Sequence, residues 1–218
     1  MNILDVSDYY DFSLIEASIN EKKPYETLLQ GPTEASREFI SRSLEMYLKA
    51  INREKLHNLL CLSMEEIISN CVKANIKRAY FIHNELDINV HEQYELGMKD
   101  FREMCVSQVK NLELIKCAQD LGFYVKICYA IENNTFIITI RNNAIISKEE
   151  LNRIRNKIEI SKNKTSEDIF MNVDMTEGCG LGIIMIKKIM EQISNLENSF
   201  SIYADEKDTI TELRINMM

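Results

Sequence analysis

Apolar residues recur at helical spacing from Leu56 to Lys77. This period predicts one long helix whose core-facing side is made of Leu56, Leu60, Met64, Ile67, Ile68, Cys71 and Val72. Another side carries polar residues spaced four, three and four apart, namely Glu66, Asn70, Lys73 and Lys77. Such a row is typical either of a solvated face with salt-bridge spacing or of a face that meets a hydrated cation and phosphate oxygens.

The same period predicts helices on both sides of this stretch. Thr33 is a suitable N-cap for a helix from Glu34 to about Asn52. The spacing from Asn89 to Leu121 indicates either one long helix or a kinked pair, and Gly122 is placed to cap its end. Residues Ala79 to Ile82 fit either a short strand or the end of the central helix.

The second half of the chain contains runs that are typical of strands. Phe123 to Ile131 and Thr135 to Arg141 are rich in β-branched and aromatic residues, and Asn133-Asn134 between them predicts a tight hairpin turn. A second strand pair is predicted at Ser199 to Ala204 and Thr209 to Asn216. Because hairpin-like pairs flank helices, we predict an α+β fold, a two-layer sandwich with a mixed, mostly antiparallel sheet and helices on one face.

A polar segment and a glycine-rich stretch separate the two strand pairs. Lys148 to Ile158 is predicted to be helical, and Glu159 to Glu177 lacks a period and is predicted to be a loop. Gly178-Cys179-Gly180-Leu181-Gly182 then opens a helix that extends to about Ile193. Glycines at a helix start favour an anion site, because the first N–H groups lack helical partners, or they simply permit close packing.

Composition narrows the function classes. The formal net charge of -8 argues against a broad nucleic-acid-binding surface, which needs clustered Lys and Arg. Six cysteines without a CxxC pair are typical of reduced thiols in a cytoplasmic protein. The acidic N-terminal sequence and the lack of an eighteen-residue apolar run predict no signal peptide and no membrane insertion.

The order of helix, hairpin, polar loop, glycine-opened helix and strand pair resembles a known ATP-binding domain. It is shared by sensor histidine kinases, gyrase-type topoisomerases, the ninety-kilodalton heat-shock chaperone and mismatch-repair ATPases, and is called the histidine-kinase-like ATPase or Bergerat fold. EEIISNCVKA resembles its asparagine box, with matching positions at Glu66, Asn70, Lys73 and Ala74. GCGLGIIMIKKIM resembles its second glycine box, and SFSIYADEKDTITELRIN resembles its closing strand pair.

The resemblance implies a domain division and a set of ligands. Residues 1–55 would be an N-terminal extension with one helix, and 56–218 the ATPase domain with a helical insertion at about 83–121. The implied cofactors are ATP and Mg²⁺, and the loop 159–177 would be the ATP lid. The implied partner is a protein, such as a response regulator or a sigma-factor-type regulator.

The resemblance also implies roles for individual residues. Asn70 would bind Mg²⁺, Glu66 would be the general base if hydrolysis occurs, and Lys73 would approach a phosphate. The triphosphate would be held by backbone N–H groups of the glycine-rich stretch, at Gly178, Gly180, Leu181 and Gly182.

The sequence departs from the family pattern at the adenine box. Where the family has Asp-x-Gly-x-Gly, this chain has Asn142-Asn143-Ala144-Ile145-Ile146. Asn142 retains an oxygen that can accept the adenine N–H, whereas Ala144 and Ile146 add side chains where glycine would leave room. Purine binding is therefore expected to be weakened, altered or lost.

A second departure is the phosphoacceptor. Sensor kinases carry a histidine followed by glutamate in an upstream dimerisation helix, but the upstream histidine here is His57, which we interpret as an ordinary residue of the central helix. We predict an ATP-binding signalling protein that acts on a partner by phosphotransfer or by an ATP-dependent lid. The alternatives are a pseudo-ATPase that serves as an interaction module, with its pocket closed by Ala144 and Ile146, and a serine kinase like the anti-sigma factors.

Overall fold

The computed structural model describes residues 10–29, 33–106, 108–161 and 181–217. Its helices are α1 Phe12–Glu21, α2 Glu34–Ala50, α3 His57–His83, α4 His91–Val106, α5 Gln108–Asp120, α6 Lys148–Ser161 and α7 Leu181–Ile193. Its strands are β1 Tyr25–Leu28, β2 Val125–Glu132, β3 Thr135–Asn142, β4 Phe200–Ala204 and β5 Thr209–Asn216.

The strands form a sheet in the order β1-β2-β3-β5-β4, and every neighbouring pair is antiparallel. Alternate residues of the central strands point into the main core, because side chains alternate between the two faces of a sheet. The opposite face carries ion pairs such as Lys126 with Glu26. The prediction of an α+β fold with a largely antiparallel sheet and helices on one face is confirmed at this level.

Helices α2 and α3 cover the apolar face of the sheet. Tyr47 of α2 lies between Tyr129 of β2 and Phe136 of β3, with ring centroids 5.0 Å from each. The buried hydroxyl of Tyr129 is hydrogen-bonded to Ser43 Oγ at 2.8 Å, so its polar atom is satisfied inside the core. Leu60 and Met64 of α3 are fully buried in the same cluster.

Local signals identified the turns and caps correctly. Thr33 accepts a hydrogen bond from Ser36 N at the start of α2. Asn133 and Asn134 have φ values of 45° and 62°, the left-handed conformation that a tight hairpin turn requires. Gly122 follows α5 with φ 78°, as expected for a helix cap.

One open alternative is decided and one prediction needs correction. Ala79 to Ile82 is the end of α3 and not a strand, and Ala79 and Phe81 face a helical core. The described residues before α3 hold the helices α1 and α2, where one helix was predicted, and they also supply β1, which pairs with β2 at the edge of the sheet. α1 buries only Ile15 and Ser18, so its amphipathic period is too weak to be recognised in the sequence.

The predicted helix after Asn89 corresponds to α4 and α5, on either side of residue 107. They pack against the C-terminal half of α3 and form a second apolar core that contains Ile76, Ala79, Tyr80, Phe81, Phe101, Leu114 and Ala118. Gly97 allows α4 to approach α3 closely, since a Cβ at this position would lie 2.6 Å from Phe81 Cζ. The glycine therefore serves packing, at a cost in helix propensity of about 1 kcal/mol relative to alanine.

Replacing Gly97 with alanine is expected to destabilise the protein by about 1–2 kcal/mol. Alanine has the higher helix propensity, but the free energy lost when its methyl group overlaps Phe81 is larger than this gain. Urea unfolding of the two proteins measures this difference. Lys99→Ala, at an exposed position of the same helix, is the control and should change the free energy of unfolding by less than about 0.5 kcal/mol. A Gly97→Ala protein more stable than the wild type would contradict the close-packing explanation.

Candidate functional site

The polar row predicted on the central helix divides into separate environments. Glu66 and Asn70 are half-buried and joined by a hydrogen bond from Asn70 Nδ2 to Glu66 Oε1, at 3.1 Å. Lys73, one turn further along α3, is exposed. Lys77 is ion-paired with Glu150 of α6. The carboxylate and the carboxamide therefore form a pair, while one lysine faces solvent and the other is committed to a second helix.

Glu66 lies directly against the first turn of α7. A Cβ placed on Gly182 would be 2.1 Å from Glu66 Oε1, 2.5 Å from its Cδ and 2.6 Å from its Cγ. Gly182 is the second residue of α7, whose first N–H groups have no partner within the helix. The structure therefore brings Glu66, Asn70 and Gly182 together, at the meeting point of two helices that are far apart in the sequence.

The orientation of the Asn70 amide determines which chemistry this junction offers. Because Nδ2 donates to Glu66, the opposite end of the amide is the acceptor Oδ1. An amide oxygen beside a carboxylate matches the oxygen ligands that Mg²⁺ prefers, and Mg²⁺ is usually held by one or two protein oxygens together with water and phosphate. The first turn of α7 adds the positive end of a helix dipole, which favours an anion. These residues fit a metal-complexed phosphate.

Glu150 connects α6 to α3 through two cations. Its carboxylate contacts Lys77 Nζ and lies 3.0 Å from Arg78 Nη2, and all three side chains are less than one fifth exposed. Burial by itself raises the pKa of Glu150, but the charges of Lys77 and Arg78 outweigh it and lower this pKa from 4.5 to about 2. Glu150 also accepts from Ser147 N and donates its own N–H to Ser147 Oγ, which is a capping box at the start of α6.

Asn142, the predicted adenine acceptor, is buried at the end of β3 and only 2% exposed. Its Nδ2 lies 3.1 Å from Asn75 Oδ1 and 3.4 Å from the carbonyl oxygen of Ala144. Asn75 in turn donates from Nδ2 to the carbonyl oxygen of Tyr124, at 2.9 Å. The N–H donors of Asn142 are thus engaged within the protein.

Ala144 and Ile146, the two residues predicted to crowd a base pocket, belong to the same network. Ala144 is buried, at 3% exposure, and its carbonyl oxygen accepts from Thr209 Oγ1 at 2.9 Å. Thr209 Oγ1 also accepts from Ile146 N at 2.7 Å, and the carbonyl of the exposed Ile145 accepts from Arg78 Nη2. The segment after β3 is therefore held to α3 on one side and to β5 on the other.

Part of the predicted site lies outside the described residues. Gly178, Gly180 and most of the predicted lid belong to residues 162–180, and Leu181 is described as the first residue of α7. Sequence reasoning missed Asn75, Glu150 and Thr209. Asn75 had a signal that could have found it, because an amide interrupts the apolar side of α3 four residues after the buried Cys71.

The remaining candidates for chemistry have ordinary surroundings. His57 begins α3, and its Nε2 lies 2.9 Å from the carbonyl oxygen of Ser41, which ties α3 to α2. Burial raises the pKa of the Cys71 thiol to about 12. Within the described ranges, no group of three or more His, Cys, Asp or Glu side chains could hold a metal ion. None of the helices in these ranges combines the length and apolar character needed to cross a membrane.

Comparison with known proteins identifies a distant relative. The chain is similar to an uncharacterized protein of Treponema pallidum (strain Nichols), with 25% identity over 177 residues that cover 80% of this chain. The matched region is 34% of the relative, so the chain spans about one third of its length. No protein-family model matches the chain.

Proposed function

We propose that this protein binds Mg-ATP and acts as a signalling protein of the histidine-kinase-like ATPase class. The observation that carries the proposal is the contact of Glu66 with Gly182, next to the hydrogen bond between Glu66 and Asn70. It joins the asparagine-box helix to the helix that the glycine-rich stretch opens. An ATP-binding domain of the Bergerat type needs these two elements at the same place.

In this proposal Asn70 would hold Mg²⁺ through its amide oxygen, and backbone N–H groups at the start of α7 would bind phosphate oxygens. A bound Mg²⁺ ion supplies charge neutralisation for the phosphates. Glu66 would accept a proton from an attacking water or hydroxyl group, and phosphoryl transfer would depend mostly on positioning and charge neutralisation. The acceptor would be a group on a partner protein, or the bound nucleotide would set the state of the lid.

A second function is supported by a different observation. Asn142 and Ala144 are each at most 3% exposed, and the donors of the first and the carbonyl of the second are used inside the protein. Such packing favours a chain in which the base pocket is closed and the domain serves as a protein-interaction module. In that case the sheet and the α3–α7 contact would remain, but nucleotide would not bind.

Calorimetric titration with Mg-ATP distinguishes these functions. The wild-type protein is expected to bind, and Asn70→Ala is expected to weaken binding by about tenfold to a hundredfold, because it removes the amide oxygen that would ligate the cation. Ser69→Ala, at the adjacent half-buried position, is the matched control and should bind like the wild type. A wild-type protein that gives no heat at millimolar nucleotide would reject the proposal and favour the interaction module.

A further inference from the structure

The hydrogen bonds between α3 and the end of β3 are directional. Backbone carbonyl oxygens only accept hydrogen bonds, so Asn75 must present Nδ2 to the carbonyl of Tyr124. The Oδ1 of Asn75 is then the acceptor that faces Asn142, at 3.1 Å from Asn142 Nδ2. The orientation of the Asn142 amide is therefore set by its neighbour on α3, and not by Asn142 itself.

A second acceptor enforces the same orientation. Asn142 Nδ2 also faces the carbonyl oxygen of Ala144, at 3.4 Å. That carbonyl accepts from Thr209 Oγ1, which accepts in turn from Ile146 N. Because an N–H group can only donate, the Thr209 proton must point to Ala144. Reversing the Asn142 amide would place its oxygen against two other acceptors.

The burial of this network makes the orientation stable. Asn75 is 5% exposed and Asn142 is 2% exposed, so water cannot readily replace a lost partner. No group among the described residues donates to Asn142 Oδ1, which is the end of the amide directed away from Asn75. The network thus fixes which end of the Asn142 amide is the hydrogen-bond acceptor.

We propose that Asn75 determines the base specificity of the site, by holding the Asn142 amide so that it accepts from a 6-amino purine and rejects a 6-oxo purine. The inference rests on the proposed nucleotide binding. An adenine amino group would donate to Asn142 Oδ1, whereas the oxygen of a 6-oxo purine would oppose it with a second acceptor. Asn75 acts here as a positioning residue, because its own amide contacts the protein and not the base.

The test compares two nucleotides that differ at C6 of the base. Titrations with the Mg²⁺ complexes of ATP and inosine triphosphate are expected to show about a hundredfold preference for ATP in the wild-type protein, because a mismatched buried polar pair is strongly rejected. Asn75→Leu removes the nearer of the two acceptors that hold the Asn142 amide and leaves the Ala144 carbonyl at 3.4 Å, so the preference should fall by about tenfold. Asn75→Asp keeps an acceptor oxygen toward Asn142 and, as the protonated acid that burial favours, also keeps a donor toward the Tyr124 carbonyl, so it should preserve the preference.

The outcomes separate this inference from the proposed function. A wild-type protein that binds neither nucleotide rejects nucleotide binding, and the inference with it. A wild-type protein that binds both equally rejects only the inference. If Asn75 has a purely structural role, Asn75→Leu weakens the binding of both nucleotides by the same factor and leaves the ratio of their dissociation constants unchanged. That result also rejects the inference. If Asn75→Leu does not fold, the ratio for Asn75→Asp decides, and loss of the preference in that variant rejects the inference.

Discussion

Replacing Glu150 with glutamine is expected to lower the free energy of unfolding at neutral pH by about 3 kcal/mol, because it leaves two largely buried cations without a counter-charge. Lys77 and Arg78 are only 16% and 15% exposed, so solvent screens them weakly. Denaturant unfolding at pH 7 measures the loss. Glu191→Gln is the control, since Glu191 is 53% exposed and pairs with Lys187 one turn away; its change should stay below about 0.5 kcal/mol.

The pH dependence of the same pair of proteins follows from the lowered pKa of Glu150. A carboxyl whose folded pKa lies below its unfolded value contributes its full stabilisation above the unfolded value, here 4.5, and loses it as the pH falls toward about 2. The difference in unfolding free energy between wild type and Glu150→Gln should therefore shrink steadily through this window. A difference that stays constant from pH 7 to pH 2 would show that the charge of Glu150 is not responsible.

Replacing Gly182 with valine is expected to destabilise the protein by about 2–3 kcal/mol, since the new side chain would overlap Glu66 at the contact between α3 and α7. The same change is expected to weaken Mg-ATP binding, because it pushes the Glu66 carboxylate away from Asn70. Met185→Val, at an exposed position of α7, is the control, because it introduces the same β-branched side chain into this helix without the overlap with Glu66.

A double-mutant cycle makes the Gly182 experiment independent of nucleotide binding. In a Glu66→Ala background the overlap is removed, so Gly182→Val should cost less than about 1 kcal/mol. The expected coupling between the two positions is thus about 1–2 kcal/mol in unfolding free energy. If Gly182→Val lowers the free energy of unfolding equally in both backgrounds, then overlap with Glu66 is not the reason that position 182 requires glycine.

Most helices and strands could be predicted because their signals are local. The apolar period of α3 and the Asn133-Asn134 turn are each contained in a few consecutive residues, so the sequence shows them directly. β1 has only four residues that alternate between half-buried and exposed, and its pairing with β2 decides its structure. Pairing with a strand that is distant in the sequence leaves almost no recognisable pattern in the residues of β1 itself.

The candidate site shows the same division between local and long-range information. The spacing of Glu66 and Asn70 predicted a shared helix face, and the structure has them hydrogen-bonded. The spacing could not show that Lys77 pairs with Glu150, because the two positions are 73 residues apart. It also could not show that Glu66 packs on Gly182, since two helices can meet in many registers.

The pairing of β1 has a consequence for the order in which the chain folds. Tyr25 pairs with Tyr129, roughly a hundred positions later, whereas β2 with β3 and β4 with β5 are joined by short turns. The two hairpins can therefore form early, while closing the long loop back to β1 is entropically costly and slow. We therefore expect the β2 edge of the sheet to remain unpaired until the N-terminal segment docks on it.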